Sequence, residues 1–411
     1  GPYVDIPKPG GLFMSGMLAW AFAMSERKLN PELMVRDDWS TLLKTRPVID
    51  IPKKGLGKDV PFIMKWLEND EYDDFWRKGD WAIHGEKINV PTLLISGWYD
   101  DDGRGTTQAW EMCKKYNREN IRMILGPWCH NANTTRDIHN IPFGDDAVRY
   151  DLGVQHLKWF DRFLKDIDNK VENEDKVQYY VVGENKWVSS DTWPPKEAEL
   201  TNLYITSVES ANTSNGNGKI TFEPKEDNFD TYDFNPQDAA PFLIDVSENE
   251  ASVPENYKEV ELRNDVLVYT SEILDKDITI AGYVYAEFYA SSSCKDTDWV
   301  VRLTDVDEKG NSIRLTDGMI RAKFRNSFEK SKLLEPGKIE KYTIQLRRIA
   351  NTFKKGHRIR VEITSGAENL AFPNHNTGNH PAYDTEYIIA KQKIYHGKKY
   401  PSCIKIPLIK E

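Results

Sequence analysis

The stretch that decides the fold is VPTLLISGWYDDD, which runs from Val90 to Asp102. It begins as a short, continuous apolar run and ends in three consecutive aspartates. A second run of the same kind, IRMILGPW, extends from Ile121 to Trp128. Apolar runs without polar alternation are typical of strands in a parallel sheet that is covered on both faces. The segment between them, Thr106 to Asn117, has amphipathic helical spacing, so the sequence predicts a βαβ unit.

Polar residues follow both predicted strands at the same edge of the sheet. Asp100 comes directly after the first run, and His130 comes two residues after the second. Catalytic groups collect at the carboxyl ends of strands in open parallel sheets. A carboxylate that accepts a hydrogen bond from one imidazole nitrogen stabilises the imidazolium and leaves the other nitrogen free to act as a general base. The pair therefore predicts an acid–base site.

Each of these residues also has a structural interpretation. An aspartate at a strand end commonly shapes a turn, and Asp101 or Asp102 could cap the helix that begins near Thr106. A single histidine after a Pro-Trp turn is commonly structural. The placement of Asp100 and His130 on neighbouring strand ends is the observation that favours function.

The rest of the chain divides into regions of different periodicity. Residues 9–85 have helical spacing, with helices predicted over Leu12 to Met24 and Val60 to Asp80. A further helix is predicted over Val148 to Asp168. From about residue 176 short alternating segments separated by turn residues predict a β-sandwich, beginning with KVQYYVVG. The predicted fold class is α/β plus all-β.

Composition excludes several classes of function. The chain has 411 residues, enough for two or three domains, and its net charge of −10 is spread along the sequence, which argues against a nucleic-acid-binding face. The four cysteines are scattered and indicate neither a disulfide framework nor a zinc site. No run is long enough to span a bilayer, and Leu12 to Met24 lacks the preceding basic region of a signal peptide. A cytoplasmic and a secreted location both fit.

Two motifs that suggest metal binding have simpler interpretations. Asp305 to Gly310 has the spacing D-x-D-x-x-G but lacks the remainder of a calcium loop, so a hairpin turn is predicted. His375 and His380 are loosely spaced and have no supporting cysteine or carboxylate cluster. We therefore expect no metal and no cofactor.

Several motifs together resemble one family. VPTLLISGWYDDDGRGTTQAW, followed by MILGPWCHN, resembles the X-prolyl dipeptidyl-peptidase / cocaine esterase / α-amino-acid ester hydrolase family of serine hydrolases. The later chain extends the resemblance in order, with YYVVGENKW, DTWPP, SSSCKDTDWVVRLTDVDEKGNS, LEPGKIEKYTIQL, FKKGHRIRVEITS and FPNHNTG. The resemblance implies a helical cap in residues 1–85, the C-terminal part of an α/β-hydrolase domain in 86–170, and a jelly-roll β-sandwich in 171–411.

The resemblance also implies a chemistry. Asp100 would be the acid and His130 the base of a Ser-His-Asp triad that cleaves acyl esters, amides or peptides through an acyl-enzyme. The order Asp before His matches the last two members of the α/β-hydrolase order Ser, Asp, His. The substrate would be a small ester or amide or a peptide.

The family's G-x-S-x-G nucleophile elbow is absent from this sequence. Ser15 and Ser96 lack the flanking glycines and the strand-to-helix context of that elbow. We therefore expect the serine, the oxyanion-hole donors and the remaining strands in a segment before Gly1, supplied by the same or another chain. Residues 1–168 are expected to be stable only beside that segment. The sequence does not decide whether the protein forms a homo-oligomer.

Three residues outside the Asp100–His130 pair are candidates for contact with the substrate. Trp20, with other cap tryptophans, is interpreted either as cap core or as a pocket wall for the acyl group. Asp102 is a candidate for the rim of the site, and Phe372 for a β-domain loop that reaches its mouth. The alternative function, from another class, is a non-catalytic β-sandwich binding module that carries a hydrolase remnant.

Overall fold

The computed structural model describes residues 1–116, 118–130, 133–247 and 253–410. The helices are α1 Ser15–Ala23, α2 Trp39–Leu42, α3 Ile51–Leu56, α4 Pro61–Glu68, α5 Asp74–Arg77, α6 Gly103–Lys115 and α7 Leu152–Lys165. The strands are β1 Thr92–Gly97, β2 Ile121–Gly126, β3 Asp137–Ile138, β4 Ile141–Pro142, β5 Val177–Val181, β6 Lys186–Ser190, β7 Ala198–Thr206, β8 Lys219–Thr221, β9 Asn228–Phe234, β10 Val266–Thr270, β11 Ile278–Ser292, β12 Asp298–Val306, β13 Ser312–Arg321, β14 Glu340–Phe353, β15 Arg358–Thr364, β16 Ala390–His396 and β17 Cys403–Ile409.

Short helices α1 to α5 precede the first strand, as the helical spacing predicts. The helix predicted over Val60 to Asp80 is divided in two, because the chain leaves the helical conformation at Asn69 and a new helix begins after Asp73. The Asp73 carboxylate accepts hydrogen bonds from the amides of Phe75 and Trp76, which start α5. Among the described helices, none has the length and apolar character that crossing a membrane requires.

The predicted βαβ unit is confirmed. Strands β1 and β2 pair in parallel, with Thr92 opposite Ile121 and Gly97 opposite Gly126, and α6 connects them. Helix α6 begins slightly earlier than predicted and ends at Lys115, while Asn117, the predicted last residue, lies outside the described residues. Every residue of β2 is buried, as expected for a strand that is covered on both faces.

Strand β5 has a different partner from the predicted one. The segment KVQYYVVG was assigned to the β-sandwich, but β5 pairs in parallel with β2 and continues the first sheet in the order β1-β2-β5-β6. The physical reason is that four of the five residues of β5 are buried. This strand therefore lies in a covered sheet and does not expose alternate residues to solvent. The first strand of the larger sheet along the chain is β7.

The larger described sheet has the order β13-β12-β15-β10-β8-β7-β17-β11-β16-β9, and β14 pairs with β11. Strand β11 pairs with β14 along one edge and with β17 and then β16 along the other. The two sheets are joined directly, because Val182 exchanges backbone hydrogen bonds with β14, to Ala350 O at 3.0 Å and from Thr352 N at 2.8 Å. The chain thus combines an α/β part and an all-β part in contact.

Candidate active site

The chain segments after β1 and β2 continue side by side beyond the sheet. Trp98 N donates to Gly126 O at 2.9 Å, and Tyr99 N donates to Trp128 O at 3.0 Å. Glycine is required at the last residue of β1, because a Cβ on Gly97 would lie 2.0 Å from the carbonyl oxygen of Trp128. This close approach carries the paired backbone as far as Asp100 and His130.

The structure brings Asp100 and His130 into hydrogen-bonding contact. His130 Nδ1 lies 3.0 Å from Asp100 Oδ1, while the imidazole side chain is 62% exposed. Two more carboxylates approach the same nitrogen, Asp101 Oδ1 at 3.3 Å and Asp102 Oδ2 at 3.7 Å. Nδ1 carries a single proton, and the nearest acceptor for it is Asp100. None of the hydrogen bonds among the described residues uses Nε2, which leaves that nitrogen for chemistry.

The surrounding carboxylates favour the charged form of His130. Hydrogen bonding by Asp101 raises the pKa of His130, partial burial opposes the rise, and Asp100 adds to it, so that the pKa is about 10. The ring is therefore an imidazolium at neutral pH in this arrangement.

Asp100 is itself held on both carboxylate oxygens. Ser96 Oγ donates to Oδ2 at 2.7 Å, and the amide of Asp102 donates to Oδ1 at 3.1 Å. Ser96 is 2% exposed, so this bond is shielded from water. These bonds turn one carboxylate oxygen towards the histidine, which is what an orienting acid requires.

Asp102 lies beside the histidine, with Oδ2 3.7 Å from His130 Nδ1, but it does not cap α6 with its side chain. It occupies the N-cap position without a side-chain hydrogen bond to the helix, whereas Asp5 Oδ2 accepts from the amide of Gly105 at 2.7 Å. Burial, followed by the charges of neighbouring aspartates, raises the pKa of Asp102 to about 6. The capping interpretation of Asp102 is therefore wrong, because a distant carboxylate takes that role.

Trp20 and Phe372 pack in hydrophobic clusters around the N-terminal helices. Trp20 is half-buried on α1 and packs against the clusters that surround that helix. Phe372 is 7% exposed, and its ring centroid lies 6.2 Å from that of Phe13. Among the contacts of the described residues, none joins either ring to Asp100 or His130. A substrate-contacting role for Trp20 and Phe372 stays a prediction.

The two motifs that suggest metal binding lie in different parts of the β region, and the first forms the predicted turn. Asp307 sits in the turn between β12 and β13, where its Oδ1 accepts from the amides of Lys309 and Asn311 at 2.9 and 2.8 Å. His375 Nε2 accepts from Arg46 Nε at 2.8 Å, so this nitrogen is bonded within the protein.

A possible cation site coincides with the histidine cluster. Within the described residues, ligand atoms of Asp100, Asp101 and His130 lie within 4.8 Å of one another. Both oxygens of Asp100 already accept hydrogen bonds from the protein. This bonding fits a carboxylate that orients a histidine.

A second Ser-His-Asp grouping lies inside the β part and has the wrong geometry for catalysis. Ser207 Oγ and Asp230 Oδ2 approach the same nitrogen, Nε2 of His396, at 3.3 and 3.2 Å. Tyr269 OH also donates to Asp230 at 2.8 Å, and His396 is fully buried. The ring cannot relay a proton between groups that share one nitrogen, so this cluster is structural.

Sequence reasoning missed two arginines that contact the segment from Ser96 to Asp102, which we call the acid loop. Arg348 on β14 donates from Nη2 to Gly97 O at 2.7 Å and to Ser96 Oγ at 3.2 Å. Arg347 donates from Nη1 to the carbonyl oxygens of Asp100 and Asp101 at 3.1 and 3.2 Å. Adjacent arginines within the apolar run IQLRRIANTF were the available signal, because buried arginines require partners.

The chain matches two family models in succession. Residues 2–132 match the model described as X-Pro dipeptidyl-peptidase (S15 family). Residues 169–405 match that of the X-Pro dipeptidyl-peptidase C-terminal non-catalytic domain. The first match contains both Asp100 and His130.

Named relatives are esterases and peptidases. The cocaine esterase of Rhodococcus sp. (strain MB1 Bresler) is 29% identical over 86% of this chain and 63% of its own length. A putative Xaa-Pro dipeptidyl-peptidase of Bacillus anthracis is 24% identical over 71% of this chain and 44% of its own. The chain thus spans less than two thirds of these relatives.

Solved structures share the fold. An aminopeptidase from a marine sediment Thaumarchaeota archaeon superposes with a TM-score of 0.87 at 24% identity, covering 99% of this chain and 70% of its own. A selenomethionine-labelled α-amino acid ester hydrolase gives a TM-score of 0.85 at 25% identity with the same coverage.

Proposed function

Because the chain belongs to the X-Pro dipeptidyl-peptidase (S15) family of serine hydrolases, we propose that it carries the acid and base of a Ser-His-Asp triad. In this proposal residues 1–85 form a helical cap, β1, β2, β5 and β6 belong to an α/β-hydrolase sheet, and the strands from β7 onward form a jelly roll. The reaction cleaves an ester, amide or peptide bond through an acyl-enzyme. The contact of 3.0 Å between Asp100 and His130 is the observation that supports the proposal.

Each residue has one task in the proposed reaction. Asp100 accepts the Nδ1 proton of His130 and keeps the ring oriented. Nε2 takes the proton of the serine hydroxyl as the oxygen attacks the substrate carbonyl, and then delivers it to the departing alcohol or amine. Water repeats the sequence to release the acid and restore the serine. The serine itself is expected in a segment before Gly1.

The raised pKa of His130 adds a condition to this mechanism. A general base must be neutral, yet the carboxylates of Asp101 and Asp100 raise the pKa of the ring to about 10. Burial disfavours a charged imidazole and lowers its pKa. We therefore propose that the segment with the serine, by covering His130, brings its pKa down towards the working range.

Two exposed features support a docking surface for that segment. Strand β1 pairs with β2, and the described strands provide no partner for its other edge. Helix α7 exposes an apolar face next to its buried one, formed by Val154, Leu157, Phe160 and Leu164, which are 51, 55, 52 and 76% exposed. An open strand edge and an uncovered apolar helix face both favour packing against further protein. The remaining hydrolase strands would satisfy both.

The test is labelling with a fluorophosphonate probe, applied to this chain and to the protein extended upstream. We expect labelling only in the extended protein, and about 10²- to 10⁴-fold slower labelling after His130→Gln, because the general base is lost. His84→Gln, at an exposed histidine outside the Asp100–His130 pair, is the matched control and keeps the normal rate.

The other outcomes are also informative. Labelling of this chain alone would direct attention to Ser15 or Ser96 and contradict the proposed position of the nucleophile. Absence of labelling in both forms would favour the alternative, a non-catalytic β-sandwich binding module.

A further inference from the structure

We propose that Arg348 and Arg347 of β14 are positioning residues for Asp100, so that the β domain sets the geometry of the acid–base pair. The proposal deepens the proposed function and rests on it. It also differs from the description of the matched C-terminal domain as non-catalytic, since both arginines lie within residues 169–405.

Arg348 controls the direction of the Ser96 hydroxyl. Its Nη2 donates to Ser96 Oγ at 3.2 Å, and the hydroxyl in turn donates to Asp100 Oδ2 at 2.7 Å. A serine hydroxyl has a single proton, so a donor on its acceptor side directs that proton towards the carboxylate. The result is a continuous chain from Arg348 through Ser96 and Asp100 to the imidazole.

Arg347 fixes the backbone of the same loop. Its Nη1 bridges two consecutive carbonyl oxygens, those of Asp100 and Asp101, at 3.1 and 3.2 Å. Asp100 is therefore held on the carbonyl by one arginine and on the carboxylate through the other. Hydrogen bonds that involve a charged donor are about twice as strong as neutral ones.

Both arginine side chains are buried, and the glycine at position 103 leaves space for one of them. Arg348 is 1% and Arg347 5% exposed, so two adjacent guanidinium groups are buried together. Burial, with the charge of Arg347 added, lowers the pKa of Arg348 to about 10. Glycine is needed at the start of α6, because a Cβ on Gly103 would lie 2.0 Å from Arg348 Nη2. Apolar side chains at these two positions would be buried at a lower free-energy cost than two guanidinium groups. This difference favours a role beyond packing for the two arginines.

A purely structural role predicts a different result from a positioning role. If the arginines only join the two sheets, their loss lowers stability but leaves the interaction between Asp100 and His130 intact. If they position Asp100, their loss weakens that interaction in the molecules that remain folded. A double-mutant cycle measures this difference.

The experiment is an NMR titration of His130, made in this chain or, where folding requires the upstream segment, in the extended protein. Asp100→Asn lowers the pKa of His130, because it removes a carboxylate that stabilises the imidazolium. We expect the drop to shrink to about half or less when the same change is made in an Arg348→Met background. An equal drop in both backgrounds would overturn the proposal.

Further variants keep the test decisive. Ser96→Ala breaks the same chain without emptying the arginine site, and it takes the place of Arg348→Met if that protein does not fold. Arg348→Lys keeps the charge but offers one donor nitrogen in place of the planar guanidinium. It should restore part of the drop in the pKa of His130 that Asp100→Asn causes. Arg358→Met is the matched control, since this half-buried arginine on β15 donates to Ser271 O at 3.0 Å and makes no described bond to the acid loop.

Failure of this inference can be told apart from failure of the proposed function. The titration needs no turnover, so its result does not depend on where the nucleophile lies. Once the extended protein is labelled by the fluorophosphonate, Arg348→Met should lower kcat about tenfold or more while KM stays unchanged, because a misplaced acid weakens the transition state and not substrate binding. An unchanged kcat would overturn the positioning role even if the triad is correct.

Discussion

His130 is the residue on which the proposed chemistry depends, and its neighbours set its charge. Three carboxylate oxygens lie within 3.7 Å of one ring nitrogen, and the imidazole side chain is 62% exposed. The sequence alone predicted the pairing with Asp100, because the ends of neighbouring parallel strands meet at one edge. It did not predict the contacts of Arg347 and Arg348, because these residues lie some 250 positions later and reach the loop only through tertiary packing.

The first prediction at this scale concerns stability against pH. The pKa of His130 is raised from 6.5 to about 10, so its contribution to stability is present in full below about pH 6.5 and is lost as the pH rises through about 10. We expect His130→Gln to lower the urea midpoint at about pH 6 and to have a much smaller effect at about pH 10.5. A pH-independent difference would contradict the raised pKa.

The ionised form of Asp102 destabilises the folded state, whereas the charged form of His130 stabilises it. Because burial raises its pKa from 3.8 to about 6, the folded state disfavours the charged form, and the penalty grows between these pH values and levels off above them. Asp102→Asn should therefore stabilise the protein at about pH 8 and have a smaller effect at about pH 4, as measured by thermal unfolding. Asp191→Asn, at an exposed position, serves as control. A destabilised Asp102→Asn protein at pH 8 would contradict the assignment.

At the scale of elements, apolar periodicity identified α7 but not which of its faces is buried. Trp159 on α7 is 6% exposed, whereas its apolar neighbours Phe160 and Leu164 are 52 and 76% exposed. Similarly, β5 was recognised as a strand but assigned to the wrong sheet. Periodicity reports that a side chain is apolar, and only the neighbouring elements determine what covers it.

The exposed face of α7 leads to a third prediction. Leu157→Lys and Leu164→Lys should leave the stability of this chain within about 0.5 kcal/mol, because both side chains already face solvent. Each should weaken binding of a separately produced upstream segment about tenfold, as measured by calorimetry. Val208→Lys, at an 83% exposed position in the β part, is the control and should not affect binding. Equal binding by all three variants would show that the segment docks elsewhere.

At the scale of the whole molecule, a buried ion cluster joins three parts of the chain. Asp70, which follows α4, lies 3.0 Å from Lys8 of the N-terminal segment and also pairs with Lys323 after β13. All three side chains are less than 9% exposed. Burial opposes ionisation of Asp70, but the two lysines outweigh it and hold its pKa well below the usual range. Sequence patterns carry no sign of such a cluster, because its members are distant and individually resemble surface residues.

The fourth prediction follows from this cluster. Asp70→Ala leaves two buried ammonium groups without their carboxylate and should lower the free energy of unfolding by about 3–5 kcal/mol at neutral pH. Because the pKa of Asp70 is depressed, the effect should persist above about pH 4 and fade only as the pH falls through the native value. Tryptophan fluorescence during urea unfolding measures it. Asp74→Ala, at a side chain that is 93% exposed, should change stability by less than about 0.5 kcal/mol.

The pairing of β5 with β2 has a consequence for exchanging modules between relatives. The family model for the C-terminal domain begins at residue 169, yet β5 and β6 after that point complete the sheet that carries Asp100 and His130. A chimera joined at residue 169 would graft foreign strands onto the resident β2. A recombination breakpoint after Ser190 takes the whole sheet from one parent. The parent that supplies β14 would then determine which side chains, at positions 347 and 348, contact the acid loop.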